Sequence, residues 1–470
     1  MAALRIRLHF ENTKGAIIRV KQFLCLWCVI GLGLSACSVA PAPSVTAPPS
    51  VAPTSAVAPT PTVAATPTKA ATRTPTPTVL PTFTPLPVSV EFPKIDRQPA
   101  VADWGRGSLM SAPSYDPNSE EMWQMDLRSY DLSSLDLSDS LDDLLFASFD
   151  AQTKWPPATK MPAKFDWQRM MELGKNPGLG MRQLHAQGIT GKGVGLAIID
   201  QPLIVEHQEY ADRMRLYQET NIDSTTESQM HGPAVASIAV GKTVGVAPGA
   251  DLYYIAAWPG EWGTGDGGFA WNFGYYAQAV RHILQINQQL PEDRKIRVIA
   301  MQIGWSPDQG GYDEIMAAVK EAKEAGLLVV SSSLAETFGF SFHGLGRVPL
   351  ADPNKFESYE PGLWWAKDFY THPEWVADTL LVPMDSRTTA SPGGAEEYVF
   401  YREGGWSWSI PYIAGIYALA AQVEPSITPD EFWSVALKTG QTIELKHDGK
   451  TIPFGPILDP AALIKSLQTQ

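Results

Sequence analysis

Apolar runs of strand length alternate with helical segments along the chain from about residue 180 onward. Five near-continuous apolar runs predict strands at 194–200, 251–257, 297–304, 327–333 and 379–384. Segments of helical spacing lie between and after them, at 180–187, 233–240, 275–289, 312–325, 409–423 and 429–439. Strands that are apolar on both sides belong to a sheet covered on both faces. The alternation therefore predicts an α/β fold over residues 180–470, a three-layer domain with a mostly parallel central sheet.

The beginning of the chain has the pattern of an export signal. An apolar run of 12 residues, at 23–34, follows Lys14, Arg19 and Lys21. The run is too short to span a bilayer as an ordinary helix. Its length and the basic residues before it are typical of a signal peptide, which we predict at residues 1–36.

The residues after this run resemble the lipobox of bacterial lipoproteins. Leu34, Ser35 and Ala36 precede Cys37, and in a lipobox such a cysteine is lipidated and becomes the N-terminus. The resemblance implies that Cys37 anchors the protein to the membrane of the bacterial cell envelope, facing outward. The alternative is an ordinary secretory signal in which Cys37 is incidental.

Residues 37–92 are predicted to form a disordered tether. Between residues 38 and 90 the sequence contains 13 prolines and 12 threonines, and its only charges are Lys69 and Arg73. Such a segment buries too little apolar surface to offset the entropy lost on ordering, and proline keeps it extended. The tether would hold the folded part of the chain away from the membrane.

Residues 93–179 form an acidic extension. Between residues 113 and 150, ten acidic residues accompany one basic residue, Arg128. Seven leucines in this stretch follow neither a period of 2 nor one of 3.6. We interpret the extension as an arm that docks on the main domain through its leucines.

Composition and charge exclude two broad classes of protein. The chain has 470 residues and a formal charge of −14, from 36 Lys and Arg against 50 Asp and Glu. It therefore lacks the excess of basic residues that binding to nucleic acid requires, and no nucleic acid partner is expected. All three cysteines lie within the first 37 residues, which excludes a disulfide framework. The folded part must then be stable by packing alone.

Three polar residues stand where α/β sheets collect reactive groups, at strand ends and at the starts of buried helices. Asp200 ends a predicted strand in VGLAIIDQP, His231 begins MHGPAVASIAVG after its methionine, and Ser407 follows a glycine-rich turn in EGGWSWSIPYIAG. Taken singly, each has a structural explanation as a loop acid, a buried histidine or a helix cap. Together they supply an orienting acid, a base and a nucleophile, the combination that acyl transfer requires.

The three motifs resemble those of the subtilisin-like serine proteases, or subtilases, in the family's order of Asp, His and Ser. GITGKGVGLAIIDQPL at 188–203 resembles the Asp motif. HGPAVASIAVGKTVGVAPGADLYYI at 231–255 resembles the His motif and the GVAPGA stretch that follows it. GWSWSIPYIAGIYALAA at 405–421 resembles the Ser motif, and its alignment places the nucleophile at Ser407, with Ser409 as the next candidate.

The resemblance implies a serine endopeptidase that hydrolyses peptide bonds of proteins through an acyl-enzyme. Ser407 would attack the scissile carbonyl, His231 would take and return the proton, and Asp200 would orient His231. Gly304, in AMQIGW, matches the glycine beside the family's primary specificity pocket, although a strand-end turn explains it equally well. Secreted subtilases usually carry an inhibitory pro-segment, which is a second interpretation of residues 93–179.

The oxyanion hole is the main departure from the family. Subtilases place an asparagine after a VVAAAGN-like strand, whereas this chain reads GLLVVSSSLAETFGF. The aligned residue is Ala335, or Glu336 with a one-residue slip, and neither offers an amide donor. Loss of that donor costs a subtilisin about 10²–10³ in turnover. The remaining donors would be the Ser407 backbone N–H and a second group, with Thr337 or a serine at 331–333 as candidates.

A long aromatic segment at 338–402 is a second departure. It contains 13 aromatic residues, among them Trp364, Trp365 and Trp375, and lies between the oxyanion strand and the nucleophile. We expect it to border the cleft, with its aromatics either packed as anchors or forming a substrate groove. No loop has calcium-ligand spacing, so neither a metal nor a cofactor is expected.

Two other functions compete with the leading hypothesis of a cell-surface endopeptidase acting on a peptide or protein substrate. A subtilase pseudoenzyme would bind a peptide or protein without cleaving it, which the missing asparagine favours. A lipase-like α/β hydrolase would use Ser407 with Asp430 and His447, but GWSWS lacks the closing glycine of G-x-S-x-G.

Overall fold

The computed structural model describes residues 91–119, 121–264 and 268–469. In chain order the described strands and helices are β1 Lys94–Ile95, α1 Leu141–Leu144, β2 Phe149–Asp150, α2 Trp167–Lys175, α3 Met181–Ala186, β3 Gly195–Asp200, β4 Met214–Thr220, α4 His231–Val240, β5 Asp251–Ala257, β6 Gly260–Thr264, β7 Gly268–Trp271, α5 Gly274–Gln289, β8 Ile296–Met301, α6 Tyr312–Glu324, β9 Leu328–Val330, α7 Leu334–Thr337, β10 Ser341–Arg347, β11 Tyr359–Pro361, α8 Ala366–Thr371, β12 Thr379–Pro383, β13 Arg387–Ala390, β14 Tyr398–Tyr401, α9 Trp406–Val423, α10 Pro429–Thr439, β15 Gln441–His447, β16 Lys450–Ile457 and α11 Pro460–Gln468. The predicted signal at 1–36, the anchor Cys37 and most of the tether at 37–92 lie outside the described residues.

A six-stranded sheet forms the middle layer, in the order β1-β4-β5-β3-β8-β9, and all its neighbouring strands are parallel. Every residue of β3 and of β5 is buried, as expected for strands covered on both faces. Helices α4 and α9 pack together against β3, and α5 and α6 pack together, with α5 against β3 and β5 and α6 against β9. The predicted three-layer α/β fold with a mostly parallel central sheet is confirmed.

A second sheet lies beside the central one, in the order β11-β10-β12-β16-β15. The strand predicted at 379–384 is β12, which belongs to this second sheet and not to the central one. The sequence did not show this, because an apolar run indicates a buried strand but not the sheet that it joins. Helix α9 begins at Trp406, three residues before the predicted start at 409. Within the described ranges, no helix has the length and apolar character needed to cross a bilayer.

The acidic extension is packed onto the α/β domain. Its strand β1 pairs with β4 at the edge of the central sheet, and β2 pairs with β14. A separate core of buried apolar side chains lies beneath it, including Met125, Leu127, Leu132, Leu137, Leu144 and Phe149 of the extension and Phe400 of β14. The leucines have no single period because most of them lie in turns and irregular segments rather than along one helix or strand.

Candidate active site

Asp200 is the last residue of β3, at the carboxyl edge of the central sheet. Its side chain is buried, and Oδ1 accepts hydrogen bonds from the backbone N–H of Gln201 and from Nδ1 of His231, each at 2.7 Å. The two donors hold the carboxylate in one orientation, with Oδ1 facing the imidazole.

His231 is the first residue of α4 and is buried against the end of β3. Because Nδ1–H donates to Asp200, Nε2 is the acceptor nitrogen of the neutral ring. Nε2 is buried and has no hydrogen bond partner among the described residues. Gly232 permits the start of α4 to lie close to the residues that follow β3, since a Cβ at that position would overlap the carbonyl oxygen of Gln201. The arrangement therefore orients the imidazole and leaves Nε2 able to accept a proton.

Ser407 is the second residue of α9, after a turn that contains Gly404 and Gly405. Its Oγ donates to the main-chain carbonyl oxygen of Gln302 at 3.3 Å, and no hydrogen bond joins it to Nε2 of His231. The backbone N–H of Ser407 lies in the first helical turn, where N–H groups have no acceptor within the helix and the helix dipole is positive. The residue thus presents a hydroxyl and a backbone donor together.

One cavity of about 590 Å³ brings most of the predicted site residues together. Asp200, His231, Gly304 and Ser407 all line it. Ser409 does not line it and is fully buried, so of the two candidate serines Ser407 is the accessible one. The described residues contain no group of three or more His, Cys, Asp or Glu side chains placed to hold a metal ion.

The residues proposed for a lipase-like triad are not brought to Ser407. Asp430 lies on α10 and His447 on β15, and neither lines the cavity. His447 instead stacks on Tyr370, with ring centroids 3.7 Å apart. The geometry therefore gives no support to the lipase-like alternative.

The residues aligned with the family's oxyanion asparagine lie outside the cavity. Ala335 and Glu336 are exposed on the short helix α7. The Thr337 hydroxyl donates to the backbone carbonyl oxygen of Ser333 within the same turn. Of the serines at 331–333, Ser332 lines the cavity.

Gln302 is a cavity residue that sequence reasoning missed. It directly follows β8 and is 4 % exposed, and both Nε2 and Oε1 of its carboxamide are buried without a hydrogen bond partner among the described residues. Its main-chain carbonyl oxygen is the acceptor for Ser407 Oγ. The sequence shows only a polar residue after an apolar strand, in AMQIGW, and gives no sign that its amide is unpaired.

Tryptophans dominate the cavity wall. Eight of them line it: Trp104, Trp123, Trp258, Trp262, Trp271, Trp305, Trp406 and Trp408. From the insertion at 338–402, all of which the structure describes, Tyr401 is the sole contributor. Trp364 and Trp365 pack around His343 instead. Of the two alternatives for the insertion's aromatics, packing is the one observed.

The acidic extension supplies part of the cavity wall. Its contributing residues are Trp104, Met122, Trp123 and Arg128. Glu403, which precedes the turn that contains Gly404 and Gly405, holds Trp123 in place. Its Oε2 accepts from the Trp123 backbone N–H at 2.8 Å, and its carbonyl oxygen accepts from Trp123 Nε1–H at 3.2 Å. Burial raises the pKa of Glu403 to about 7.

Comparison with known proteins gives one family match and several similar solved structures. Residues 191–356 match the model of the subtilase family, peptidase S8. The structure of the prenylagaramide maturation protease PagA is 15 % identical over 61 % of this chain and 98 % of that chain, with a TM-score of 0.41. The PatG macrocyclase in complex with peptide is 15 % identical over 62 % of this chain and 96 % of that chain, with a TM-score of 0.42. By the match over residues 191–356, this chain contains a domain of the subtilase family of serine-type peptidases.

Proposed function

We propose that this protein is a serine endopeptidase that hydrolyses peptide bonds of proteins through an acyl-enzyme on Ser407. The observation that carries the proposal is the buried His231, whose Nδ1–H donates to Asp200 at 2.7 Å while Nε2 has no partner among the described residues. Ser407 lines the same cavity. An imidazole oriented by a carboxylate beside an accessible hydroxyl is what acyl transfer requires.

In the proposed reaction the Ser407 hydroxyl leaves the Gln302 carbonyl oxygen by a change of χ1 and turns to Nε2 of His231. Catalytic hydrogen bonds are often absent or long before substrate binds. Oγ then bonds to the scissile carbonyl carbon as its proton passes to Nε2. The C–N bond breaks as His231 returns the proton to the leaving amine, and water activated by the same base releases the acyl group. Asp200 stabilises the imidazolium in both halves of the reaction.

A fluorophosphonate probe tests the proposal on the detergent-solubilised full chain. We expect the probe to label Ser407, as identified by peptide mass spectrometry, and we expect His231→Ala to abolish the labelling. Ser409→Ala is the matched control and should label like the wild-type protein. Wild-type labelling no stronger than that of Ser407→Ala would refute the proposal.

A subtilase pseudoenzyme that binds peptides without cleaving them is the second candidate. The exposure of Ala335 outside the cavity favours it, because the family's amide donor is then missing from its usual place. Turnover of fluorescein-labelled casein that His231→Ala abolishes would exclude this candidate.

We also propose that a lipid on Cys37 anchors the enzyme to the outer face of a bacterial membrane. The lipobox-like Leu34, Ser35 and Ala36 before Cys37 and the Pro/Thr-rich tether after it support this location. Labelled palmitate should be incorporated into the wild-type protein and not into Cys37→Ser, whereas Cys25→Ser should still be labelled. Equal labelling of Cys37→Ser would contradict the anchor.

A further inference from the structure

One residue that lines the cavity around Ser407, Gln302, carries a buried primary amide and is not aligned with the family's asparagine. Gln302 lines the cavity and is 4 % exposed. Neither Nε2 nor Oε1 of its carboxamide has a hydrogen bond partner among the described residues. A buried amide without partners destabilises the folded state, so its retention in a native protein requires an explanation, of which a catalytic role is one.

Gln302 is also next to the nucleophile. Its main-chain carbonyl oxygen accepts the hydrogen bond from Ser407 Oγ at 3.3 Å. Its side chain starts one residue past β8, at the same edge of the central sheet where Asp200 ends β3. Gln302 and Ser407 therefore belong to the same part of the cavity wall.

We propose that the Gln302 carboxamide N–H is the second oxyanion donor of this enzyme, acting with the backbone N–H of Ser407. The inference rests on the proposed peptidase function. It names a donor in place of the asparagine that the family has and this chain lacks. When Oγ bonds to the scissile carbonyl carbon, the carbonyl π electrons move to oxygen and the serine proton moves to His231 Nε2. The oxyanion formed in that step accepts from both N–H groups, and the bonds are released when the C–N bond breaks.

Ser332 is the competing donor, because it is the serine of 331–333 that lines the cavity. A Cβ placed on Gly304 would lie 3.0 Å from the Ser332 Cβ, so Ser332 faces the glycine aligned with the specificity pocket. The main-chain carbonyl oxygen of Gln302 instead accepts a hydrogen bond from Ser407 Oγ. The position of Ser332 favours contact with the substrate side chain, and that of Gln302 favours contact with the reacting carbonyl.

Steady-state turnover of fluorescein-labelled casein and of a chromogenic peptide anilide by the full-length protein tests the inference. For Gln302→Met and Gln302→Ala, we expect kcat to fall about 10²–10³-fold while KM changes little, as for loss of one oxyanion donor. Gln278→Met is the matched control, since Gln278 also has a buried Oε1 without a partner but lies outside the cavity. It should turn over both substrates like the wild-type protein.

Two further measurements separate a catalytic role from a structural one. The melting temperature of Gln302→Met should equal or exceed that of the wild-type protein, because the change removes unpaired buried polar atoms. The affinity for a peptide aldehyde ending in phenylalaninal, which forms an oxyanion on Ser407, should fall together with kcat. The affinity for the matching peptide amide, which forms none, should not change.

The outcomes distinguish this inference from the function on which it rests. A wild-type protein without Ser407-dependent turnover would overturn both. Turnover by the wild-type protein and equal kcat in Gln302→Met would overturn the inference alone. A large loss of kcat in Ser332→Ala, with Gln302→Met unaffected, would transfer the role to Ser332.

Discussion

Asp200 accepts two hydrogen bonds with one oxygen, from Gln201 and from His231, and the second bond selects the tautomer of the imidazole. In Asp200→Asn the new amide can donate to Nδ1, which leaves the proton on Nε2 and removes the base. We expect kcat for labelled casein to fall by about 10⁴-fold with the fold retained, as for this change in other Ser-His-Asp sites. The melting temperature of Asp200→Asn checks that the variant is folded. Turnover within tenfold of the wild-type value would contradict the assigned role.

Two buried carboxyls, those of Glu403 and Asp385, lie beside the turn that contains Gly404 and Gly405 and should make stability depend on pH. Burial raises the pKa of Glu403 to about 7 and that of Asp385 to about 6, whereas both titrate near 4 in an unfolded chain. A raised folded pKa gives stability that is complete below the unfolded pKa and is lost as the pH rises through the folded pKa. The contribution of these two carboxyls to stability should therefore decrease between about pH 4 and pH 8.

Glu403→Gln tests this dependence, because its amide oxygen can still accept from the Trp123 N–H. At pH 8 we expect the variant to be more stable than the wild-type protein by on the order of 1–3 kcal/mol, with no difference at pH 4. The exposed Glu357 provides the control substitution, Glu357→Gln. Equal melting temperatures of Glu403→Gln and the wild-type protein at pH 8 as well as at pH 4 would count against a buried neutral carboxyl at Glu403.

Asp200, His231 and Ser407 could be predicted from sequence because each lies in a local motif at a strand end or a helix start. Their order along the chain added to the signal. Gln302 could not be predicted, since what distinguishes it is a missing partner, and partners come from distant parts of the chain. Gln302 becomes a candidate for the proposed second donor only once the tertiary structure shows that its buried amide has no partner among the described residues.

Strands β6 and β7 contribute an exposed aromatic residue to the cavity wall. Trp262 on β6 is 47 % exposed and packs against Phe269 on β7, with ring centroids 4.8 Å apart. We expect Trp262→Ala to lower kcat/KM about tenfold for peptide substrates with a large aromatic residue near the scissile bond, because an aromatic contact is lost. Trp375→Ala is the control, since Trp375 is also exposed but does not line the cavity. Equal effects of the two substitutions would contradict a substrate contact at Trp262.

The strands that the sequence predicted are those with continuous apolar runs. Strands β3, β5 and β8 are buried along nearly their whole length, and their apolar runs predicted them within a few residues. Strand β15 is mostly exposed and only two residues of β16 are buried, so both lack the apolar run that would have indicated them. Pairing between distant strands, which decides sheet membership, is not encoded in local periodicity.

At the scale of the whole molecule, the acidic extension and the α/β domain share a core. Leu132 is fully buried in that core, whereas Leu135 is only partly buried. We expect Leu132→Ala to destabilise the protein by about 2–5 kcal/mol, measured by urea unfolding, and Leu135→Ala to cost less. Equal and small effects of both changes would indicate that the extension is not part of the cooperative fold.

The shared core also predicts what an active preparation contains. Because Trp104 and Trp123 line the cavity and Trp123 is held by Glu403, residues 93–179 should remain on the active enzyme. Intact mass spectrometry of probe-labelled protein should therefore find the extension present. A labelled species that begins near residue 180 would support the pro-segment interpretation. The sequence could not show the contact between Trp123 and Glu403, because it joins residues 280 positions apart.

Eight of the 15 tryptophans of the chain line a single cavity, and this concentration makes the site an optical reporter of its own occupancy. Indole emission shifts with the polarity of its surroundings, and a peptide bound in the cavity would change the surroundings of several of these fluorophores at once. Binding of peptide to Ser407→Ala, where no cleavage follows, could then be followed by intrinsic fluorescence without any label. The same signal would report slow release of product in the wild-type enzyme.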